Sequence, residues 1–73
     1  MNYLKADGFD AAIIGIDVAS ERLVYDKRAM VQILMEEESM DELDAIEFLE
    51  YNTWGAYVGE HTPIYVDHLD DVS

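Results

Sequence analysis

The sequence predicts a small α+β domain with a three-stranded sheet and two helices in the order β-β-α-α-β. Three observations carry this prediction: an early run rich in isoleucine and valine, two segments with apolar residues at helical spacing, and a short β-branched run near the end. With 73 residues the chain is expected to form a single domain over positions 1–73. Within that domain, positions 67–73 are expected to form a solvated acidic tail.

The first two strands are predicted to pair as a hairpin. Residues 11–18 are rich in Ile and Val, and because apolar groups fall on both faces, we expect this strand to be covered on both sides, at least in part. Residues 19–21 form a short connection, and the second strand runs from Arg22 to Tyr25. The Asp7-Gly8 pair predicts a turn ahead of the hairpin.

A first helix is predicted from Lys27 to about Met35. Asp26 is a suitable N-cap, and Tyr25 before the cap and Met30 at the fourth helical position fit a hydrophobic staple. Three glutamates follow, and negative charge at a helix C-terminus opposes the helix dipole. Two interpretations stay open: the glutamates form a solvated linker, or the surface is held acidic for a partner at a small cost in stability.

The second helix is predicted from residue 40 to about residue 57. Ser39 and Glu42 have the spacing of a capping box, with Ser39 as N-cap and Glu42 reaching back to it. Thr62-Pro63 ends the helical pattern, and residues 64–66 are predicted to form the third strand.

At 100° per residue the second helix separates into two faces. The apolar residues that fall together and are expected to face the core are Leu43, Ala45, Ile46, Leu49 and Ala56. The other side carries a stripe in which carboxylates alternate with large aromatics: Asp44, Glu47, Tyr51 and Trp54. Because Trp and Tyr are enriched at binding hot spots, the stripe is a candidate partner surface. Alternatively, the two aromatic rings pack under the third strand or across a homodimer.

The charge of the chain is strongly acidic and unevenly distributed. Seventeen Asp and Glu face four Lys and Arg, for a net charge of -13, and all four basic residues lie in the first 28 positions. The residues expected to bind a partner are Glu36, Glu37, Glu38, Asp41, Asp44, Glu47, Glu50, Tyr51 and Trp54. Such a surface suits a basic protein, and its repulsion of phosphate disfavours direct binding of nucleic acid or of anionic membranes.

The sequence carries no recognisable catalytic or metal-binding motif. It has no cysteine, its histidines at 61 and 68 match no metal-ligand spacing, and its four glycines form no phosphate-binding loop. We therefore expect no enzyme, no cofactor and no metal. The first residues lack the pattern of a signal peptide, and no apolar run approaches the roughly 20 residues that span a bilayer. A cytoplasmic location is expected.

One string of residues is specific enough to suggest a family. The string consists of Asn52, Gly55, Ala56, Tyr57, Gly59, Glu60, Thr62 and Pro63, and residues 7–10, 12–15 and 22–26 add an N-terminal part. Over about residues 7–66 the chain resembles small acidic hypothetical proteins of bacteriophages and prophages. That resemblance implies a phage-type origin, but the family has no assigned activity from which a functional residue could be carried over.

Together these features predict an acidic interaction protein that binds and inhibits a nucleic-acid-handling host protein, as an inhibitor of the anti-CRISPR or anti-restriction type. Carboxylates three or four residues apart on a helix lie about 5–6 Å apart, a scale similar to the phosphate spacing along one nucleic-acid strand. The predicted mechanism is therefore nucleic-acid mimicry. Two alternatives stay open: a small homo-oligomeric structural or regulatory phage protein whose acidity serves solubility, and an acidic antitoxin-like partner of a basic protein.

Overall fold

The computed structural model describes residues 3–72 as a three-stranded mixed sheet and two helices that pack on each other. The elements are β1 (Ile13–Asp17), β2 (Arg22–Asp26), α1 (Lys27–Glu37), α2 (Glu42–Leu49) and β3 (Ile64–Val66). Their order along the chain is β-β-α-α-β, so the predicted α+β fold is confirmed.

The β1–β2 hairpin forms as predicted, but the expected coverage of its first strand is wrong. The strands pair antiparallel, with Asp17 opposite Arg22, and the hydroxyl of Ser20 donates a hydrogen bond to the Asp17 carboxylate at 2.5 Å. β1 is an edge strand with a bulge at Ile14, whose side chain is 62% exposed, and Val18 just beyond the strand is 84% exposed. The successive residues 14–16 are all exposed, so in the described part of the chain no element covers both faces of β1.

β3 lies along the other edge of β2 and runs parallel to it. Tyr65 is the register partner of Tyr25, and the two rings lie 5.6 Å apart between centroids. A parallel neighbour requires a long crossover connection, which the two helices provide. The sequence predicted this strand but not its direction.

The hydrophobic core lies between the helices and the inner face of the sheet. Its buried members are Phe9, Ala12, Tyr25, Met30, Val31, Leu34, Ala45 and Leu49. Tyr25, Met30 and Leu49 are the largest fully buried side chains. The hydroxyl of Tyr25 also accepts a hydrogen bond from the backbone N–H of Ala6 at 2.9 Å, which ties the N-terminal segment to the sheet.

The helix caps agree with the sequence for α1 and disagree for α2. Asp26 caps α1 by accepting a hydrogen bond from the backbone N–H of Arg28, and the helix runs two residues beyond the predicted end at Met35. The predicted N-cap of α2, Ser39, is wrong. Asp41 caps that helix by accepting from the N–H of Asp44 at 2.9 Å. Ser39 has a φ of 56°, so it turns the chain between the helices and lies outside α2.

Alanine substitutions at Asp41 and at Ser39 are expected to show which of the two residues caps α2. Asp41→Ala should lower the free energy of unfolding by about 1 kcal/mol, because the N–H of Asp44 loses its acceptor. Ser39→Ala should change it by less than about 0.5 kcal/mol, since the Ser39 side chain is exposed and outside the helix. Urea unfolding of both variants measures the difference, and an equal loss for the two would contradict the assigned cap.

The helix predicted to continue to residue 57 ends earlier. After α2 the chain makes a π-helical turn, Glu50–Trp54, and leaves helical geometry at Gly55. A Cβ atom at Gly55 would lie 3.1 Å from the carbonyl oxygen of Glu50, so glycine suits this tight closure. The following loop is closed by Thr62, whose hydroxyl donates to the carbonyl of Gly59 at 2.7 Å and accepts from the N–H of Val58 at 2.9 Å.

The segment that begins at residue 67, expected to be a solvated tail, is anchored at its start. Nε2 of His68 lies 2.9 and 3.0 Å from the two carboxylate oxygens of Asp26. Nζ of Lys27 lies 3.5 Å from Oδ1 of Asp67, and a 3₁₀ turn follows over Leu69–Val72. These contacts hold the end of the described chain against the start of α1.

The Asp26 carboxylate is expected to make the stability fall in acid. Burial raises its pKa, but the hydrogen bond and charge of His68 and the N–H groups at the start of α1 outweigh burial, so that the pKa lies below the ordinary 3.8. The stabilising contribution is therefore complete above the unfolded-state pKa and is lost as the pH falls through the lower native value.

Asp26→Asn provides the measurement, because asparagine also caps helices but does not titrate. The free energy of unfolding of the wild type should exceed that of Asp26→Asn by its full amount at about pH 5. The excess should shrink toward zero below pH 3.8. An excess that does not change across this range would show that the carboxylate of Asp26 is not held ionised by His68.

Candidate partner-binding surface

The acidic segment, residues 36–50, spans the end of α1, the connection and all of α2. It contains eight carboxylates and no Lys or Arg: Glu36, Glu37, Glu38, Asp41, Glu42, Asp44, Glu47 and Glu50. All eight residues are exposed. Among the residues described by the structure, none of the eight takes part in an ion pair. The structure therefore leaves the negative charge of this segment facing solvent.

Three of the four basic residues are engaged by groups outside the acidic segment. Nζ of Lys5 lies 3.7 Å from Oδ2 of Asp10. Nε of Arg22 donates to the carbonyl oxygen of Thr62 at 2.6 Å. Lys27 pairs with Asp67, as described above. These three cations therefore have partners outside the acidic segment, although Lys27 also lines a groove with Glu42 and Glu50.

The helical hairpin concentrates charge at the end where α1 meets α2. The last turn of α1 contains acidic residues and no basic ones, and the first turn of α2 contains Glu42 and Asp44. Carboxylates at the start of α2 are favoured by its dipole, whereas those at the end of α1 are disfavoured by roughly 0.3–1 kcal/mol each at most. A short connection joins the two helix ends, so favourable and unfavourable charges lie side by side.

The predicted acidic-aromatic stripe is only partly realised. Asp44, Glu47 and Tyr51 are exposed, the last to 88%. Trp54 instead is half-buried and donates its indole N–H to Sδ of Met30 at 3.4 Å. Nζ of Lys27 lies over its ring, 4.3 Å from the ring centroid. This ring packs at the edge of the core, against Met30 of α1.

The helical wheel also misplaces two residues on the core side. Ala45 and Leu49 are fully buried, as predicted, and Ile46 is half-buried. Leu43, however, is 65% exposed, and Ala56 is exposed because it lies beyond the end of the helix. The π turn after α2 replaces i→i+4 bonding with i→i+5 bonding, so a wheel drawn at 100° per residue does not apply from Glu50 onward. Leu43 lies before that turn, in the first turn of α2, and nothing in the structure explains its exposure.

Trp54 and Glu50 belong to a groove of mixed charge between the start of α1 and the end of α2. The groove has a volume of about 360 Å³ and an apolar base of Val31 and Ile46. Its charged lining includes both signs: Lys27, Arg28, Glu42, Glu50 and Asp67. The groove is therefore less acidic than the hairpin end, from which Glu37 and Glu38 face a different groove.

The chain matches no protein-family model, no characterised protein and no solved structure in our comparisons. The similarity to phage and prophage proteins accordingly stays a prediction. None of the helices described is long and apolar enough to cross a membrane. Within the described residues, no three His, Asp or Glu side chains converge where they could hold a metal ion.

Proposed function

We propose that the protein binds a basic, nucleic-acid-handling host protein through the acidic segment and inhibits it by occupying its nucleic-acid site. Eight exposed carboxylates within fifteen positions, with no cation among them, carry this proposal. An inhibitor of the anti-CRISPR or anti-restriction type, acting in the host cytoplasm, fits this description.

A folded acidic surface suits this role for two physical reasons. Helical carboxylates three or four positions apart are spaced by about 5–6 Å and face Lys and Arg side chains much as phosphates do. In addition, like charges concentrated on one side of a protein steer a basic partner toward that side before contact. Association is therefore expected to be fast at low salt and to slow as salt screens the charges.

The distribution of the charge favours partner binding over solubility alone. Solubility requires net charge but does not require it to be concentrated in one segment. Here the end of α1 accepts unfavourable carboxylates and no basic residue stands among them, although basic residues are placed elsewhere in the chain. The arrangement lowers helix stability slightly and strengthens the local negative field.

A displacement assay tests the proposal. The tagged protein is used to capture partners from a bacterial lysate at low salt, and each captured protein is then bound to a fluorescent duplex. We expect the acidic protein to displace the duplex in competition, and to do so less effectively at high salt. Simultaneous binding of the duplex and the acidic protein to one captured partner would contradict mimicry.

The protein itself is not expected to bind nucleic acid. Phosphates and the acidic segment repel each other, so a mobility-shift assay at low salt should show free duplex and free single strand at micromolar protein. Retention of either nucleic acid would also argue against mimicry, because a surface that imitates the phosphates of nucleic acid should repel them.

The free edge of β1 favours a second candidate, a homo-oligomeric structural or regulatory protein. Ile14 and Val18 are largely exposed at this edge, and an edge strand with apolar side chains is a template for pairing with another strand. Sedimentation equilibrium distinguishes the candidates: a dimer that dissociates on Ile14→Lys supports the second, and a monomer at all concentrations contradicts it.

A further inference from the structure

A second groove lies between the turn at Asp7 and Gly8 and the end of the helical hairpin. Its volume is about 270 Å³. The apolar side chains that line it are Phe9, Ile33, Leu34, Met40 and Phe48. Phe9 and Leu34 belong to the buried core, whereas Phe48 is 40% exposed. The groove therefore offers a firm apolar base and an accessible aromatic ring.

The charged groups that line this groove all have the same sign. They are the carboxylates of Asp7, Glu37 and Glu38, each on an exposed residue. In the described part of the chain none of the three forms an ion pair, and no Lys or Arg lines the groove. Apolar walls below several carboxylates complement a side chain that has an apolar stem and a cationic head.

We propose that this groove receives an arginine side chain of the basic partner, an inference that rests on the proposed function. The aliphatic stem of arginine packs on Ile33 and Met40, and its planar guanidinium lies against the ring of Phe48. The same group presents a fork of N–H donors to the carboxylates of the rim. Lysine has the stem and the charge but lacks the planar fork, so it fits this combination less well.

The protein already uses the same kind of contact within its own chain. In the mixed-charge groove, the ammonium group of Lys27 lies over the ring of Trp54 and pairs with the carboxylate of Asp67. A cation, an aromatic ring and a carboxylate thus satisfy one another on that side of the hairpin. On the other side, Phe48 and the rim carboxylates provide the ring and the negative charge, and the partner supplies the cation.

The probes for this inference are two blocked hexapeptides, three Gly-Arg repeats and three Gly-Lys repeats. Titration of the ¹⁵N-labelled protein at low salt is expected to shift the amide signals of residues 7–9, 33–40 and 48. The arginine peptide should bind about two- to fivefold more tightly than the lysine peptide, as expected for an exposed stacking contact. Equal affinity, or shifts confined to other residues, would overturn the assignment.

Matched double variants distinguish binding in this groove from general attraction by the negative charge of the acidic segment. Glu37→Gln with Glu38→Gln removes two charges from the rim, and Glu36→Gln with Glu47→Gln removes two charges from positions that do not line the groove. The rim pair should lower affinity for the arginine peptide by at least about threefold more than the control pair. A difference of this size matches the loss of one exposed ion pair.

A third variant tests the aromatic ring. Phe48→Leu should remove the preference for arginine over lysine while the unfolding midpoint, checked in urea, stays close to that of the wild type. If the two double variants lose equal affinity for the arginine peptide, the assignment of this groove as an arginine site is overturned, whereas the proposed function stands. If neither peptide binds the wild type at low salt and no duplex is displaced from any captured protein, the proposed function itself fails.

Discussion

Tyr25→Ala is expected to lower the free energy of unfolding by about 3–5 kcal/mol. Tyr25 is fully buried at the centre of the sheet, between the hairpin partner Ile13 and the parallel neighbour Tyr65. Its removal leaves a large cavity and also deprives the N–H of Ala6 of its acceptor. A core of this size supplies roughly 3–5 kcal/mol in total, so the variant should be mostly unfolded at 25 °C.

Tyr57→Ala is the matched control, because Tyr57 is 78% exposed. It should change the stability by less than about 0.5 kcal/mol. Tyr25→Phe measures the contribution of the hydroxyl alone, because it keeps the ring. It should lower the free energy of unfolding by about 1 kcal/mol. Urea unfolding followed by far-UV circular dichroism measures all three variants. Equal midpoints for Tyr25→Ala and Tyr57→Ala would contradict the position of the core.

Asp44→Lys with Glu47→Lys is expected to slow association with a basic partner by about tenfold or more at low salt. Both side chains are exposed on α2, and each reversal changes the field of the acidic segment before contact is made. The rate of dissociation should change less than the rate of association. Stopped-flow kinetics at several salt concentrations measures both, and the difference from the wild type should diminish as salt increases.

Glu60→Lys with Asp70→Lys is the control for this experiment, since it makes the same change in net charge at exposed positions outside the helical hairpin. Its association rate should fall much less than that of the α2 variant. Thermal melts of both double variants establish that the fold is kept. Equal slowing by the two pairs would mean that net charge, rather than the acidic segment, governs association.

Local signals in the sequence predicted several elements correctly. Asp26 caps α1 because its carboxylate reaches an N–H two residues on, and residues 64–66 form the short strand that their β-branched composition predicted. The hairpin, both helices and the acidic character of residues 36–50 follow from such signals. The composition also predicted which surface is acidic, since no basic residue occurs after position 28.

The errors have a common cause, which is competition from contacts distant in the sequence. The capping-box pattern at Ser39 is valid locally, but the chain must reverse there to pack α2 on α1, and a positive φ removes Ser39 from the cap. Trp54 leaves the predicted stripe because the π turn shifts its direction and Met30 and Lys27 provide partners.

The sequence by itself determined the α+β composition, the order of the elements and the location of the charge, because periodicity, caps and composition are local properties. Only the tertiary structure decided that β3 runs parallel to β2, that His68 meets Asp26 across 42 positions, and that Phe48 shares a groove with Asp7. These juxtapositions depend on how the hairpin of helices closes over the sheet, and that closure is set by packing of the whole core rather than by any single segment.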